Sequence, residues 1–383
     1  MALMERVKIE KIVSGGLGLG SYRGKAVFVP FVLPNEEVSV AVTQEKTSFL
    51  MARPVEILTA SADRQTPVCP YFGVCGGCHY QMVSYETELA LKKQVILEAF
   101  HRIGGISLDP EFIFVPSART LHYRNRCVLN RNSSTTWAYR IGKSHDFVEI
   151  QSCCLVEEPI NRVIGESNIK TQGDYILRSN FQGRIFTYPR EKGREGRGTT
   201  YLEEAAGITL PVTGSVFFQV NRSLIALWLE TIRDFLLSDN VPGSSAVELY
   251  SGTGLISLYL EKHTNFGSFF CFEDDPLSVR LGIKAIQLNQ SEKVKFINLP
   301  SERADKQARV IIANPPRSGM SSEARANLIR LNPLTIIYSS CNPDTAARDA
   351  AFFEKHGFHI AQVRAFDFFP RTCHCEIVLM LRR

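Results

Sequence analysis

The sequence has no apolar run long enough to cross a lipid bilayer as a helix, which argues against a membrane-spanning protein. Its first residues lack the apolar core of a secretory signal, so we expect a cytoplasmic protein. A strong excess of one charge is also missing. The formal net charge of +5 over 383 residues permits an anionic partner such as RNA without requiring one.

The chain is too long for one ordinary hydrophobic core, and its patterns predict three domains. Residues 1–60 contain short alternating strands broken by glycines, which predict a small OB-like β-barrel. Residues 61–210 predict a central α+β domain with a cysteine-rich loop. Residues 211–383 predict an α/β domain with a doubly wound, Rossmann-like sheet. The polar, glycine-rich segment 189–198 predicts an exposed hairpin tip.

The predicted barrel is similar to a TRAM domain, an OB-like module found on RNA-modifying enzymes. Its basic residues would suit contact with RNA: Lys8, Lys11, Arg23, Lys25, Lys46 and Arg53. Ordinary solvated lysines on a structural β-module would give the same pattern. Both interpretations stay open.

Three cysteines, Cys69, Cys75 and Cys78, lie within one ten-residue loop. Ten cysteines in a reducing compartment are not expected to form a disulfide framework, so this spacing predicts a metal or iron–sulfur site. A closed site needs a fourth ligand, for which Cys153 and Cys154 are the candidates. Zinc and an iron–sulfur cluster both bind four thiolates, and the spacing does not choose between them.

A strand–turn–helix pattern in the C-terminal half predicts a nucleotide-like ligand. The strand 245–250 runs into a turn that contains Gly252 and Gly254, and the following strand ends at Glu273. Small turn residues let the backbone approach a ligand closely, and an acidic residue about 20 positions later suits a ribose diol. A βαβ turn that binds no ligand is the alternative.

The same region favours S-adenosylmethionine over NAD. NAD would require a third glycine where Ser257 stands. Glu248, near the end of the strand, would repel a pyrophosphate but would attract a sulfonium and an ammonium group.

Two further residues stand at the ends of predicted strands. Cys341 follows the apolar strand 336–340, where the ligands of α/β sheets bind, although a buried structural thiol would look the same. Glu376 opens the last apolar strand, where it could be structural or functional.

These features together resemble the RNA 5-methyluridine methyltransferase family. The segments Ser340-Cys341-Asn342-Pro343 and Phe369-Pro370-x-Thr372-x-His374-x-Glu376 carry the resemblance, together with the glycine turn and the cysteine loop. It implies that Cys341 adds to C6 of uracil and that Glu376 removes the C5 proton after methyl transfer. His374 is expected to orient the base or Glu376.

The resemblance also implies two bound groups. For S-adenosylmethionine, the matching positions are Gln219, Tyr250, Gly252, Gly254, Glu273 and Asn314. For a [4Fe–4S] cluster, they are Cys69, Cys75, Cys78 and Cys154, the last favoured over Cys153.

Two residues depart from the family pattern: Asn314 replaces an aspartate, and Arg371 replaces Gln, His or Tyr. Both put rate or target choice in doubt more than reaction type. The expected substrate is large-subunit (23S) rRNA, with uridine 54 of tRNA as the alternative. A catalytically weakened iron–sulfur relative that only binds RNA is a further alternative, and we expect a monomer.

Overall fold

The computed structural model describes residues 4–131, 136–142, 146–166, 171–190, 198–238 and 245–383. Most of the hairpin tip predicted at 189–198 lies outside these residues. Within them, no helix is both long enough and apolar enough to cross a membrane.

A closed five-stranded barrel forms the N-terminal part of the described chain. Its strands are β1 (Met4–Val13), β2 (Leu17–Tyr22), β3 (Lys25–Pro30), β4 (Glu37–Glu45) and β5 (Phe49–Thr59). They close in the order β1-β2-β3-β5-β4. Alternate residues such as Val7 and Ile9 point inward and are fully buried, which is the pattern that predicted the barrel.

The central segment combines helices with a five-stranded antiparallel sheet. Helix α1 begins after Ser84, whose side chain accepts a hydrogen bond from the Thr87 N–H. The elements are α1 (Tyr85–Ala99), β6 (Ile113–Val115), β7 (Arg126–Arg131), β8 (Trp137–Arg140), β9 (Phe147–Ile150), α2 (Glu158–Glu166), β10 (Gly173–Ser179) and β11 (Ile185–Pro189). The sheet has the order β11-β10-β7-β8-β9.

The C-terminal segment alternates strands and helices. A hairpin precedes it: β12 (Tyr201–Ala205) and β13 (Ile208–Val212). The helices that follow are α3 (Ile225–Ser238), α4 (Leu255–His263), α5 (Pro276–Asn289), α6 (Ser322–Arg330) and α7 (Pro343–Lys355). The strands are β14 (Ala246–Leu249), β15 (Phe269–Phe272), β16 (Val294–Ile297), β17 (Val310–Ala313), β18 (Thr335–Ser340), β19 (His359–Phe366) and β20 (Glu376–Arg382).

These strands form an eight-stranded sheet in the order β16-β15-β14-β17-β18-β20-β19-β6. The strands from β16 to β18 are parallel, while β20 runs antiparallel between β18 and β19. One hydrophobic core lies on each face of the sheet. The predicted fold class, a small barrel with an α+β centre and a Rossmann-like C-terminal part, is confirmed. The boundaries at 60 and 210 stay predictions, and β6 from the central segment completes the edge of the C-terminal sheet.

A buried ion cluster joins α1 to the loop that precedes β20. Lys92 Nζ lies 2.7 Å from Glu88 Oε1 and 2.8 Å from Asp367 Oδ1, and the side chains are at most 2% exposed. Arg371 completes the cluster, because its guanidinium lies 3.4 Å from Glu88 Oε2 and its backbone N–H donates to Glu88 Oε1 at 2.7 Å. The loop that leads into Glu376 is therefore fixed to the central segment by charges that cannot separate without leaving an unpaired buried ion.

Candidate active site

Cys341 stands at the carboxyl end of β18. The side chain of Asn342 caps α7 by accepting a hydrogen bond from the Asp344 N–H at 3.1 Å, and Pro343 opens the helix. Strand β18 and helix α7 therefore meet at Cys341, which is partly exposed. This is the edge of the sheet at which ligands of α/β folds bind.

Glu376 lies beside Cys341, although 35 residues separate them in sequence. The antiparallel β18–β20 ladder ends where Ser340 pairs with Ile377, so Cys341 and Glu376 are the next residues opposite each other if the register continues. The charge of Glu376 acts on the Cys341 thiol, which shows that the two side chains are near each other. Glu376 is 3% exposed. Burial raises the pKa of its carboxyl to about 7, although a hydrogen bond from Ser339 opposes the shift.

Glu376 affects the pKa of the Cys341 thiol. Burial is the main cause that raises its pKa to about 11, and the charge of Glu376 adds to the shift. The positive charge of Arg317 acts in the opposite direction. A Cys341 thiolate and a Glu376 carboxylate at this edge therefore repel each other, and the positive charge of Arg317 partly offsets this repulsion.

His374, two residues before Glu376 in the chain, is held neutral. Burial and the nearby charge of Arg317 lower the pKa of its imidazole to about 3. Its ring makes edge contacts with Phe369 and with His79 from the cysteine loop. A neutral imidazole can donate one hydrogen bond and accept another, as the predicted orienting role requires.

The residues predicted to bind the methyl donor gather at the next strand ends. Gly252 and Gly254 have φ angles of +54° and +82°, a region that favours glycine, and a Cβ on Gly254 would lie 2.7 Å from the Phe296 ring. The Gly252 N–H donates to Glu273 Oε2 at 2.8 Å, which joins the turn to the end of β15. Tyr250 also has a positive φ of 59°, a strained conformation typical of functional turns.

Two further residues predicted to bind the donor are Gln219 and Asn314. Gln219 is 5% exposed, and its Oε1 atom has no hydrogen-bond partner in the described residues. Asn314 directly follows β17, which lies between β14 and β18, and it is partly exposed. A buried acceptor without a partner costs stability unless a ligand satisfies it.

Glu248, which the sequence argument placed toward the donor, faces the other way. Its carboxylate accepts hydrogen bonds from both the N–H (3.0 Å) and the hydroxyl of Ser257, and it is buried beneath α4. It therefore stabilises the packing of the helix on the sheet. The charge argument for S-adenosylmethionine cannot rest on Glu248.

The cysteine loop and the Cys153-Cys154 pair line one cavity of about 230 Å³. Gln81 bridges its thiols: its Nε2 lies 3.2 Å from the Sγ atoms of both Cys78 and Cys154, and its Oε1 accepts from the Cys69 N–H at 3.1 Å. In the part of the chain that the structure describes, no group of three or more His, Cys, Asp or Glu side chains is arranged to hold a metal ion.

The two candidates for the fourth ligand have different surroundings. A hydrogen bond to Cys154 is the main cause that raises the pKa of Cys69. Cys153 is instead held by Asn161, whose side chain bonds both its N–H (2.8 Å) and its C=O (3.0 Å). Its thiol contacts the buried Tyr139.

Comparison with known proteins gives the family. The family model described as tRNA (Uracil-5-)-methyltransferase matches residues 304–383, the part that contains Asn314, Cys341 and Glu376, and the TRAM domain model matches residues 4–55. An uncharacterized RNA methyltransferase of Bdellovibrio bacteriovorus is 30% identical over 391 residues, which cover 98% of this chain and 94% of the relative. The chain belongs to the family of S-adenosylmethionine-dependent RNA (uracil-C5)-methyltransferases.

Other members of this methyltransferase family are also similar over their full length. A Pyrococcus horikoshii protein named 23S rRNA (uracil(747)-C(5))-methyltransferase is 28% identical, with 99% of each chain covered. The structure of Pyrococcus abyssi tRNA (uracil-54, C5)-methyltransferase with S-adenosyl-L-homocysteine superposes with a TM-score of 0.75 and 21% identity. It covers 98% of this chain and all of that one, so the two share a fold.

Arg371, one of the two departures from the family pattern, has a structural position in this methyltransferase. Its guanidinium donates to the Val83 carbonyl at 3.0 Å and lies 3.4 Å from Glu88 Oε2. It also lies over the ring of Tyr85. These contacts tie the loop before β20 to α1, which accounts for an arginine there without any role in choosing the target.

Two residues of this site were missed from sequence: Ser339 and Trp228. Ser339 donates to Glu376 Oε1 at 2.5 Å and accepts from the indole N–H of Trp228 at 3.1 Å. The available signal was two consecutive serines at the end of an apolar strand, because the side chains of neighbours in a strand point to opposite faces. Because a core lies on each face of this sheet, both serines had to be buried, and each required a polar partner.

Proposed function

We propose that this protein transfers a methyl group from S-adenosylmethionine to C5 of a uridine in RNA, with large-subunit rRNA as its substrate. The observation that carries the proposal is the placement of Cys341 opposite Glu376, at the same sheet edge as the Gly252–Gly254 turn. A nucleophile, a base and a donor site are the three components that this reaction needs.

Cys341 starts the reaction. Its Sγ adds to C6 of the uracil, and the electron pair of the C5=C6 bond moves toward the O4 carbonyl to give an enolate. C5, a poor nucleophile in free uracil, then attacks the methyl group of the sulfonium, and S-adenosylhomocysteine leaves.

Glu376 ends the reaction. After methylation, C5 carries both a methyl group and a proton, and the carboxylate takes this proton. The electrons of the C5–H bond re-form the C5=C6 bond, and the C6–S bond breaks to release Cys341. With a pKa of about 7, the carboxyl is poised to accept a proton near neutral pH. Cys341 can reach C6 only from one face of the ring, so the uridine must leave its stack.

The target is proposed to be 23S rRNA because a relative similar over its full length carries that activity in its name. The tRNA alternative, uridine 54, is supported by the fold of the Pyrococcus abyssi enzyme alone. Mapping 5-methyluridine in total RNA with and without the gene tests the choice, because the missing modification identifies the target. We further propose that the protein acts in the cytoplasm as a monomer.

Asn314 motivates a second candidate, a weakened relative that binds RNA without turnover. An amide at this position lacks the negative charge that the usual aspartate would hold near the sulfonium or base. Tritium release from 5-³H-uridine RNA separates the two functions. Release with time and donor supports the enzyme, whereas no release from protein that still binds RNA supports the weakened relative.

Gln219 is proposed to contact the donor through its unpartnered Oε1, which suits the ammonium group of S-adenosylmethionine. We expect Gln219→Leu to raise the KM for the donor by about 10-fold to 100-fold, because a hydrogen bond to a charged group contributes about 1.5–3 kcal/mol. RNA affinity, measured by filter binding, should not change. An unchanged donor KM would remove Gln219 from the donor site.

The cysteine cavity is proposed to hold a [4Fe–4S] cluster through Cys69, Cys75, Cys78 and Cys154. The donor set fits, because thiols surround a cavity that also receives the side-chain amide of Gln81. Four thiolates also suit a single zinc ion, which is the alternative occupant.

The cluster would serve as a covalent crosslink of the loop, since no step of the reaction requires an electron. The adjacent backbone already contacts the active site: the N–H groups of His79 and Tyr80 donate to the Arg371 carbonyl at 2.7 and 3.2 Å. The cysteine loop thereby supports the loop that leads into Glu376.

Replacing the two neighbouring cysteines one at a time tests the ligand set. We expect Cys154→Ser to lose the brown absorbance and most of the iron of anaerobically purified protein, because Cys154 contacts the other thiols. Cys153→Ser is the matched control and should keep both. The opposite result would make Cys153 the fourth ligand in place of Cys154. Colourless wild-type protein that contains zinc would contradict the proposal of an iron–sulfur cluster.

A further inference from the structure

Among the described residues, Ser339 is the hydrogen-bond partner of the Glu376 carboxylate. The Ser339 hydroxyl is 2.5 Å from Glu376 Oε1 and 3.1 Å from the indole Nε1 of Trp228. All three side chains are buried: Ser339 is 1% exposed, Trp228 is 2% exposed and Glu376 is 3% exposed. The chain Trp228–Ser339–Glu376 is therefore sealed from solvent on the α3 side of the sheet.

The chemistry of the three groups fixes the direction of these hydrogen bonds. An indole N–H can only donate, so Trp228 occupies a lone pair of Ser339. The single hydroxyl proton of Ser339 is then directed to Glu376 Oε1. This leaves the second oxygen, Oε2, without a hydrogen bond from a described residue.

The strand geometry places Ser339 and Cys341 on the same face. They are two residues apart at the end of β18, and residues with this spacing share a face. Ile337 and Val378 pack in the core on that face, and Val378 is two residues from Glu376 on β20. Ser339 therefore stands behind both the nucleophile and the base, on the side away from the opening of the site.

We propose that Ser339 is a positioning residue that holds Oε1 of Glu376, so that Oε2 receives the C5 proton, and that Trp228 orients Ser339 for this task. The inference rests on the proposed function. In the step itself, the C5–H bond breaks and its proton goes to Oε2. Its electron pair forms the C5=C6 bond, and the C6–S bond breaks with its electrons returning to Cys341 Sγ. The carboxyl ends neutral and the sulfur ends as a thiolate.

The hydrogen bond also bears on when Glu376 is ionised. Burial raises its pKa, while the Ser339 bond favours the charged form and lowers it. Among the described residues, the charge of Glu376 raises the pKa of two thiols, those of Cys341 and of Cys375, which precedes Glu376 in the chain. From α3, Glu376 meets the uncharged Trp228 through Ser339. Removing the Ser339 hydroxyl should therefore raise the pKa of Glu376 further.

The test is the pH dependence of adduct breakdown in Ser339→Ala. RNA that contains 5-³H-uridine is mixed with enzyme and donor at one fixed pH until the adduct has formed. The pH is then changed to a value between 5.5 and 9, and tritium release from the preformed adduct is followed. We expect the midpoint of release to rise by about one pH unit, since one hydrogen bond to a charged group has this effect. Release at pH 7 should then fall by about fivefold, because the ionised fraction of a carboxyl with a pKa of about 7 falls from about a half to about a tenth. Covalent methylated adduct should persist at pH 7 and disappear at pH 9.

Three variants sharpen the result. Ser339→Thr keeps the hydroxyl and should restore the wild-type midpoint, while Trp228→Phe keeps the ring and should shift the midpoint in the same direction by less. Ser257→Ala removes a similar buried hydrogen bond, to Glu248, and should leave the midpoint unchanged. A wild-type midpoint in Ser339→Ala would overturn the inference. Failure of the wild-type protein to release tritium would overturn the proposed function instead.

Discussion

Replacing Cys341 by alanine should abolish both methyl transfer and any covalent complex with RNA. Without a sulfur that adds to C6, C5 never gains the enolate character that it needs to attack the sulfonium. We expect turnover to fall by at least about 10⁴-fold, since no other group supplies the covalent step. Denaturing gels with labelled RNA measure the adduct, and labelled donor measures turnover.

Cys373→Ala is the matched control for this experiment. Cys373 is a partly exposed thiol in the loop before β20, close to His374. Its loss should leave the adduct in place, since its position does not place it opposite Glu376. An adduct that survives in Cys341→Ala but disappears in Cys373→Ala would transfer the nucleophilic role to Cys373.

The pKa of Cys341, about 11, predicts how adduct formation depends on pH. The thiol is mostly protonated near neutral pH, so the thiolate fraction rises about tenfold for each unit of pH below that value. RNA binding that places a uracil carbonyl against Arg317 would change the pH dependence of adduct formation, because Arg317 lowers the pKa of the Cys341 thiol. In the free enzyme, the rate at which iodoacetamide alkylates Cys341 should rise about tenfold for each pH unit below 11.

The fold followed from patterns that are local in sequence. Alternation over the first 60 residues predicts a barrel, and a strand, a glycine turn and a helix predict the donor half, because burial of one face sets these periods. The adjacency of Cys341 and Glu376 is different. It depends on β20 inserting antiparallel between β18 and β19, a long-range pairing that no local pattern specifies.

Glu248 shows where a charge argument from sequence fails. It was correctly placed near the end of β14, but the alternation of that strand puts Val247 and Leu249 in one core and Ala246 in the other. Glu248 shares the face of Ala246 and meets Ser257 instead of the donor. The hydrogen bonds to Ser257 decide this, and they outweigh nearness in sequence.

Glu376→Gln should produce the second large effect, a methylated protein–RNA complex that does not resolve. Cys341 still adds and C5 still receives the methyl group, but an amide cannot take the C5 proton, so the C6–S bond persists. We expect turnover to fall by about 10²-fold to 10⁴-fold, the usual contribution of a general base. The complex should carry label from both the RNA and the methyl group of the donor, in a 1:1 ratio.

Glu248→Gln provides the comparison, because the two glutamates are similar in burial and in the pKa of the carboxyl group. Both are buried, burial raises the pKa of both to about 7, and both accept a hydrogen bond from a serine hydroxyl. Only Glu376 stands opposite Cys341. Accumulation of the adduct in Glu376→Gln and not in Glu248→Gln would therefore assign the base by location, whereas normal turnover in Glu376→Gln would require another group to remove the proton.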